Sequence, residues 1–88
     1  GVYARSLKLP TDACKEAIAA KLLQGNIAPQ QLGQQIYGCY RLARQDWTNG
    51  YQDLEGFRRQ ALTGIFLCLA ADALPAFRKG LIRRLKSL

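Results

Sequence analysis

The segment ALTGIFLCLAADALP, residues 61–75, decides the fold. Between Ala61 and Ala71 its only polar side chain is that of Thr63. A helix that is apolar nearly all round is normally enclosed by neighbours, so we expect it to be the central helix of a bundle or the core of a dimer. Pro75 disfavours helical geometry in the residue before it and suits the first turn of a new helix. The segment therefore predicts a long buried helix, a break and a second helix.

Gly, Pro and Asn residues divide the rest of the chain into further helical segments, with no strand-like alternation and no internal repeat. We predict four helices joined by short loops and preceded by an extended arm. The helices are expected at about residues 11–24, 29–46, 51–73 and 75–87, after an arm at residues 1–10. The predicted fold class is all-α: a single compact, four-helix bundle-like domain with an amphipathic, basic C-terminal helix.

Local signals indicate where the helices begin and end. Thr11 is suited to cap the first helix, and Gly25 is suited to end it. Asn49 and Gln52 resemble a capping box at the start of the third helix. We therefore expect the first helix to begin after Thr11 and the third to begin close to residue 51.

Two glycines, Gly33 and Gly38, fall inside the predicted second helix. Each costs about 1 kcal/mol relative to alanine in a helix interior. Such a cost is tolerated where a bulkier side chain would clash with a neighbouring helix. We therefore predict that another helix approaches closely at both positions.

The charge of the 88-residue chain is unevenly spread. Thirteen Lys and Arg against six Asp and Glu give a net charge of +7, which comes almost entirely from the two ends of the sequence. A neutral body with basic ends indicates an acidic partner: nucleic acid, an acidic protein or an anionic lipid surface. No uninterrupted apolar run of 18 residues occurs, so we expect no membrane-spanning helix.

The last helix is the strongest candidate for a binding element. Phe77, Leu81 and Leu85 recur at helical spacing and are expected to pack against the bundle. The predicted contact residues are the cations on the rest of this helix: Arg78, Lys79, Arg83, Arg84 and Lys86. They are suited to a phosphate backbone. The alternatives are a solvated face, docking on an acidic protein or a second protomer, and a membrane surface. The last is disfavoured because the helix lacks Trp.

A second candidate surrounds QGNIAPQQLGQQ, residues 24–35, which could form the turn and second helix of a helix-turn-helix. Gln30, Gln31 and Gln34 would then begin the recognition helix, and glutamine can pair bidentately with adenine. Few basic residues flank these glutamines, and a plain helical hairpin explains the same pattern. The hairpin is the preferred interpretation.

Further contacts are predicted from exposed cations and aromatic side chains. Arg41 and Arg44 are expected to contribute to the same partner, and Arg5, Lys8, Arg58 and Arg59 are secondary candidates. Tyr40 is predicted to lie in the core, and Trp47 and Tyr51 to pack over helix ends at the turn between them. In the alternative, Trp47 joins Arg44 and Tyr37 in an exposed patch for a protein or a stacked base.

The three cysteines, Cys14, Cys39 and Cys68, are far apart in sequence and contain no C-x-x-C pair. An odd count in this pattern indicates free thiols in a reducing compartment, so we expect a cytoplasmic protein. The preferred interpretation is that all three are core thiols. A three-cysteine metal site is the weaker alternative because no fourth soft ligand is present.

Little in the sequence indicates a catalytic function. The chain has no His, which removes the usual general base and most transition-metal sites. Its carboxylates do not cluster, and no glycine-rich phosphate loop is present. We predict a non-enzymatic module without cofactor, metal or small-molecule substrate. Because the chain contains no Met, we also expect it to be part of a longer or processed protein.

Overall fold

The computed structural model describes residues 1–88. It contains four helices that follow one another along the chain. They are α1 (Val2–Ala19), α2 (Pro29–Thr48), α3 (Leu54–Ala70) and α4 (Pro75–Ser87), and there are no strands. The predicted all-α, four-helix fold is therefore confirmed. Helix α1 packs on α2, α2 on α3, and α3 on α4. The Cα atoms span 38 × 36 × 14 Å, a thickness that accommodates no more than two layers of helices.

The core lies where the four helices meet the connections over residues 20–28 and 71–74. Its buried members are Cys14, Leu23, Leu32, Phe66, Ala73 and Leu81. Phe77 and Leu85 pack against this cluster from α4, as the sequence predicted. Each helix and both of these connections thus contribute to one small hydrophobic centre.

Helix α1 begins at Val2, so the predicted extended arm over residues 1–10 is wrong. Pro10 lies inside the helix, where it removes one backbone hydrogen bond. A tertiary contact holds the early turns in place: the Tyr3 ring packs edge-on against Tyr37 of α2, with ring centroids 6.0 Å apart. Packing against α2 therefore outweighs the local preference of proline.

Helix α1 also ends early, at Ala19 rather than near residue 24. Lys21 follows with a φ of 63°, in the left-handed region that normally favours glycine. The backbone N–H of Leu22 donates to the carbonyl of Ala17 at 2.9 Å, which closes the helix as a Schellman motif. Lys21 therefore takes the left-handed position that ends the helix, a position for which Gly25 was predicted.

Replacing Lys21 by glycine is expected to stabilise the protein by about 0.5–1 kcal/mol, because glycine adopts the left-handed conformation without a Cβ penalty. The measurement is the denaturant midpoint at unchanged m-value. Lys21→Ala is the matched control, since alanine removes the same charge and keeps the Cβ atom. Equal midpoints for the two variants would contradict the backbone explanation.

The predicted capping box of Asn49 and Gln52 at the start of α3 is wrong. The Asp53 carboxylate accepts a hydrogen bond from the Gly56 N–H at 2.8 Å, so Asp53 caps the helix. Thr11 is also wrong as a cap, because it lies inside α1. The two errors have different causes. The segment before α3 offers several residues that can cap, whereas α1 extends past Thr11 to Gly1, which makes no side-chain cap.

The prediction that another helix approaches closely is right for Gly33 and wrong for Gly38. A Cβ atom on Gly33 would lie 2.9 Å from the backbone nitrogen of Thr11, so α1 and α2 approach closely there. A Cβ atom on Gly38 would have no neighbour within 4 Å. Gly64 of α3 marks a further close approach, since its Cβ would lie 2.6 Å from that of Cys39.

The connection over residues 20–28 docks on the connection over residues 71–74. The Gln24 N–H donates to the Asp72 carbonyl at 2.7 Å, and the Leu74 N–H donates to the Leu22 carbonyl at 2.8 Å. These hydrogen bonds form a single antiparallel bridge that buries its central residues. We call this contact the loop junction.

The Asp72 side chain holds the loop junction from inside. It is 1% exposed, and its carboxylate accepts from the backbone N–H groups of Gly25 at 2.9 Å and Asn26 at 3.1 Å. A buried carboxylate with two charge-assisted hydrogen bonds is satisfied where an unpaired one would be costly. Asp72 thus fixes the path of the chain between α1 and α2.

Candidate functional site

Helix α4 is fixed by its own apolar stripe. Pro75 is its first residue, and Leu81 is 3% exposed within the core. Phe77 and Leu85 flank Leu81 on the same side. Because these three positions face inward, the surface on the other side of α4 is exposed to solvent.

Four of the predicted contact residues line one groove along α4. Its volume is about 660 Å³, and its basic lining residues are Arg78, Lys79, Arg83 and Lys86. The rest of its lining contains no Asp or Glu: Gln24, Ala73, Pro75 and Ile82. Lys79 and Arg83 are four residues apart and Arg83 and Lys86 three apart, so these side chains follow one another at about one helical turn. The structure thus brings four cations to a single surface, which we call the basic groove.

The cations of the basic groove form no ion pair. The chain has two ion pairs, Lys8 with Asp12, and Arg58 with Glu55 at 3.3 Å. Both lie outside α4, and they neutralise two of the predicted secondary contacts, Lys8 and Arg58. Positive potential therefore adds up along the basic groove, whose lining carries no acidic side chain.

The wall of the basic groove opposite α4 comes from the loop junction. Gln24 donates a hydrogen bond from its side-chain amide to the Ala73 carbonyl at 3.2 Å. Sequence analysis missed Gln24 because the contact joins residues 49 positions apart, and no local pattern signals it. The loop junction therefore places the Gln24 side chain in the wall of the groove that the four cations line.

Arg84 lies apart from the other four cations of α4. Its guanidinium sits over the Phe66 ring, 5.1 Å from the centroid, and it does not line the basic groove. A cation in this position stabilises the packing of α4 on α3. The predicted five-residue contact set is thus divided into four groove residues and one packing residue.

Arg41 and Arg44 occupy a different surface. Together with Gln45, Thr48 and Asn49 they line a separate groove of about 340 Å³ at the end of α2. Arg41 stands 5.8 Å from the centroid of the Tyr3 ring, and Arg44 stands 5.9 Å from that of Tyr40. Since α2 does not pack on α4, the structure does not bring these arginines to the basic groove.

The three predicted glutamines, Gln30, Gln31 and Gln34, are exposed on the first turns of α2. The helix-turn-helix hypothesis is nevertheless wrong, because α1 and α2 are joined by residues 20–28 instead of a turn of three or four residues. The glutamines line no part of the basic groove.

The aromatic residues form an exposed surface on α1, α2 and α3. Trp47 stacks on Phe57 with centroids 5.1 Å apart and still has 41% of its surface exposed. Tyr40 is 38% exposed, so its predicted place in the core is wrong. Leu9 and Leu54 extend the same surface, because Tyr40 belongs to both of the grooves that contain them.

The cysteines fall into two environments. Cys14 is buried, and burial raises the pKa of its thiol, with a further rise from the nearby charge of Asp72. Cys39 and Cys68 are half-buried and lie against each other between α2 and α3. The prediction of core thiols therefore holds fully for Cys14 alone. No three potential metal ligands come together anywhere in the chain.

Comparison with known proteins gives no family. A scan against protein-family models finds no match, and searches of curated proteins and of solved structures find no significant similarity. None of the four helices has the length and hydropathy needed to cross a bilayer. Function must therefore be inferred from the geometry and charge of the surfaces described above.

Proposed function

We propose that the protein is a small, non-enzymatic helical module that binds nucleic acid through the basic groove of α4. One observation carries this proposal: Arg78, Lys79, Arg83 and Lys86 line a single open groove that contains no acidic residue, and none of them has an ion-pair partner. A partner with repeated negative charge matches this surface better than a small anion does.

The chemistry of the basic groove fits a phosphate backbone. Arg78 and Lys86 are eight residues apart, which is about 12 Å along a helix, so neighbouring phosphates can be contacted together. Arginine offers two parallel N–H donors to a phosphate, and lysine offers a mobile point charge. Contacts of this kind position a nucleic acid with little preference for base sequence.

The salt dependence of binding tests the proposal. With four phosphate contacts, the logarithm of the association constant should fall with the logarithm of salt concentration with a slope of about −3.6 for duplex DNA and about −2.8 for a single strand. Fluorescence anisotropy with labelled DNA and RNA, single- and double-stranded, measures these slopes. No binding at about 50 mM salt would overturn the proposal, because electrostatic contacts are strongest there.

A charge-reversal variant locates the binding surface. The double substitution Lys79→Glu and Arg83→Glu should weaken binding more than tenfold and flatten the salt dependence. The matched control is Lys15→Glu with Lys21→Glu, which makes the same change in net charge at exposed positions outside the basic groove. If both double variants lose affinity equally, net charge rather than the groove governs binding.

The second candidate function is a protein-interaction or assembly module, in which α4 docks on an acidic partner or a second protomer. The exposed apolar surface of α1, α2 and α3, where Leu9 is 79% and Leu54 is 63% exposed, favours an assembly function, and it lies outside α4. Exposed apolar patches mark interaction sites in many proteins. Sedimentation velocity at increasing protein concentration distinguishes the two functions: self-association without any affinity for nucleic acid supports assembly.

A further inference from the structure

Cys39 and Cys68 meet at the interface of α2 and α3. Their sulfur atoms are 4.0 Å apart, about twice the length of a disulfide bond. Both side chains are half-buried. The two sulfur atoms are therefore in direct contact without being bonded.

The backbones of the two helices are close at this point. A Cβ atom on Gly64 would lie 2.6 Å from the Cβ of Cys39 and 2.7 Å from its sulfur, so Cys39 presses directly against α3. Cys68 lies one helical turn beyond Gly64 on the same side of α3. The absence of a side chain at Gly64 therefore lets Cys39 reach the turn that carries Cys68.

Cys68 is also open to small molecules, since it lines a groove of about 270 Å³ together with Ile27, Gln31 and Gln35. Cys39 does not line this groove but is itself partly exposed. Cys14, by contrast, is 1% exposed and belongs to the core. The contact between their sulfur atoms and their partial exposure therefore distinguish Cys39 and Cys68 from Cys14.

We propose that Cys39 and Cys68 are an oxidative modification site, at which a low-molecular-weight disulfide such as oxidised glutathione converts the two thiols into a reversible intramolecular disulfide between α2 and α3. This inference does not depend on the proposed binding of nucleic acid. It adds a covalent link between two helices that otherwise pack only through side chains.

The reaction is a pair of thiol–disulfide exchanges. The thiolate of Cys39 attacks one sulfur of oxidised glutathione, forms a mixed disulfide and releases one glutathione thiolate. The Cys68 sulfur then gives up its proton to solvent and attacks the Cys39 sulfur, which releases the second glutathione thiolate. Two electrons pass from the protein sulfurs to glutathione, and both protons lost by the protein end on the released thiols.

The raised pKa of Cys68 favours Cys39 as the first nucleophile. Burial first, and then the neighbouring Cys39, raise the pKa of the Cys68 thiol to about 11, so Cys68 is a poor first nucleophile. Burial keeps the pKa of the Cys68 thiol raised in the mixed disulfide as well, so the attack of Cys68 relies on the two sulfur atoms being held close together, 4.0 Å apart in the structure.

The test uses the full chain, incubated with excess oxidised glutathione and then analysed by intact mass, thiol counting in denaturant and tryptic mapping. We expect a mass loss of about 2 Da and one remaining free thiol per chain. Trypsin should release the peptide of residues 22–41 linked to that of residues 60–78. The thermal midpoint should rise by roughly 10 °C, because the link restricts the unfolded chain.

Two variants separate the expected linkage from accidental oxidation. Cys14→Ser should still lose about 2 Da, whereas Cys39→Ser should not form the linkage. Circular dichroism shows that each variant is folded before oxidation. Three free thiols after treatment, a mixed disulfide that persists, a link through Cys14 or a link between two chains would each overturn the proposal.

Discussion

Replacing Asp72 by alanine is expected to lower the free energy of unfolding by about 3 kcal/mol. The carboxylate is 1% exposed and receives hydrogen bonds from the backbone N–H groups of Gly25 and Asn26. Hydrogen bonds to charged groups contribute about 1.5–3 kcal/mol each, and part of this loss is recovered when water reaches the freed N–H groups. For a domain of this size the thermal midpoint should fall by roughly 12–24 °C.

The reason for so large an effect is the position of Asp72 between two loops. Its carboxylate reaches residues 46 and 47 positions away in sequence, so it holds the connection between α1 and α2 against the start of α4. Leu23, 2% exposed, lies within that connection. Loss of the carboxylate therefore loosens a buried leucine as well as two hydrogen bonds.

Asp12→Ala is the matched control for Asp72→Ala. Asp12 forms an exposed ion pair with Lys8 within α1, and solvent screens such pairs, so its removal should leave the midpoint nearly unchanged. Asp72→Asn retains one acceptor oxygen and should give an intermediate midpoint. Differential scanning calorimetry measures all three variants. A midpoint for Asp72→Ala close to that of Asp12→Ala would show that the loop junction forms without the carboxylate.

The sequence predicts those parts of the fold that depend on local periodicity. Pro75 and the spacing of Phe77, Leu81 and Leu85 were sufficient to place α4 within the bounds that the structure shows. The start of α1 was not predictable in this way, because the contact of Tyr3 with Tyr37 overrides the local signal of Pro10. Periodicity is a local property, whereas a proline inside a helix is tolerated only through tertiary contacts.

Local periodicity is also insufficient to predict the composition of the candidate site. The basic residues of α4 were visible in the sequence, yet periodicity alone did not separate Arg84, which stacks on Phe66, from the four cations of the basic groove. Gln24 joins the groove only through the loop junction. A long-range contact without a local pattern therefore decides the composition of the site.

Gly33→Ala is expected to destabilise the protein by about 2–3 kcal/mol, because overpacking at a rigid contact forces backbone shifts. The added Cβ would lie 2.9 Å from the backbone nitrogen of Thr11 and 3.0 Å from its Cα. Neither atom belongs to a side chain that can rotate away. Relief requires α1 and α2 to separate, which also disturbs the buried Leu32 beside Gly33.

Gly38→Ala in the same helix is the matched control for Gly33→Ala. An added Cβ at Gly38 meets no atom within 4 Å, so the substitution should stabilise the protein by about 0.5–1 kcal/mol through helix propensity and a less flexible unfolded chain. Chemical denaturation of both variants measures the two changes side by side. The same substitution, five residues apart in one helix, should therefore act in opposite directions, and a gain in stability for Gly33→Ala would show that α1 and α2 are not in close contact.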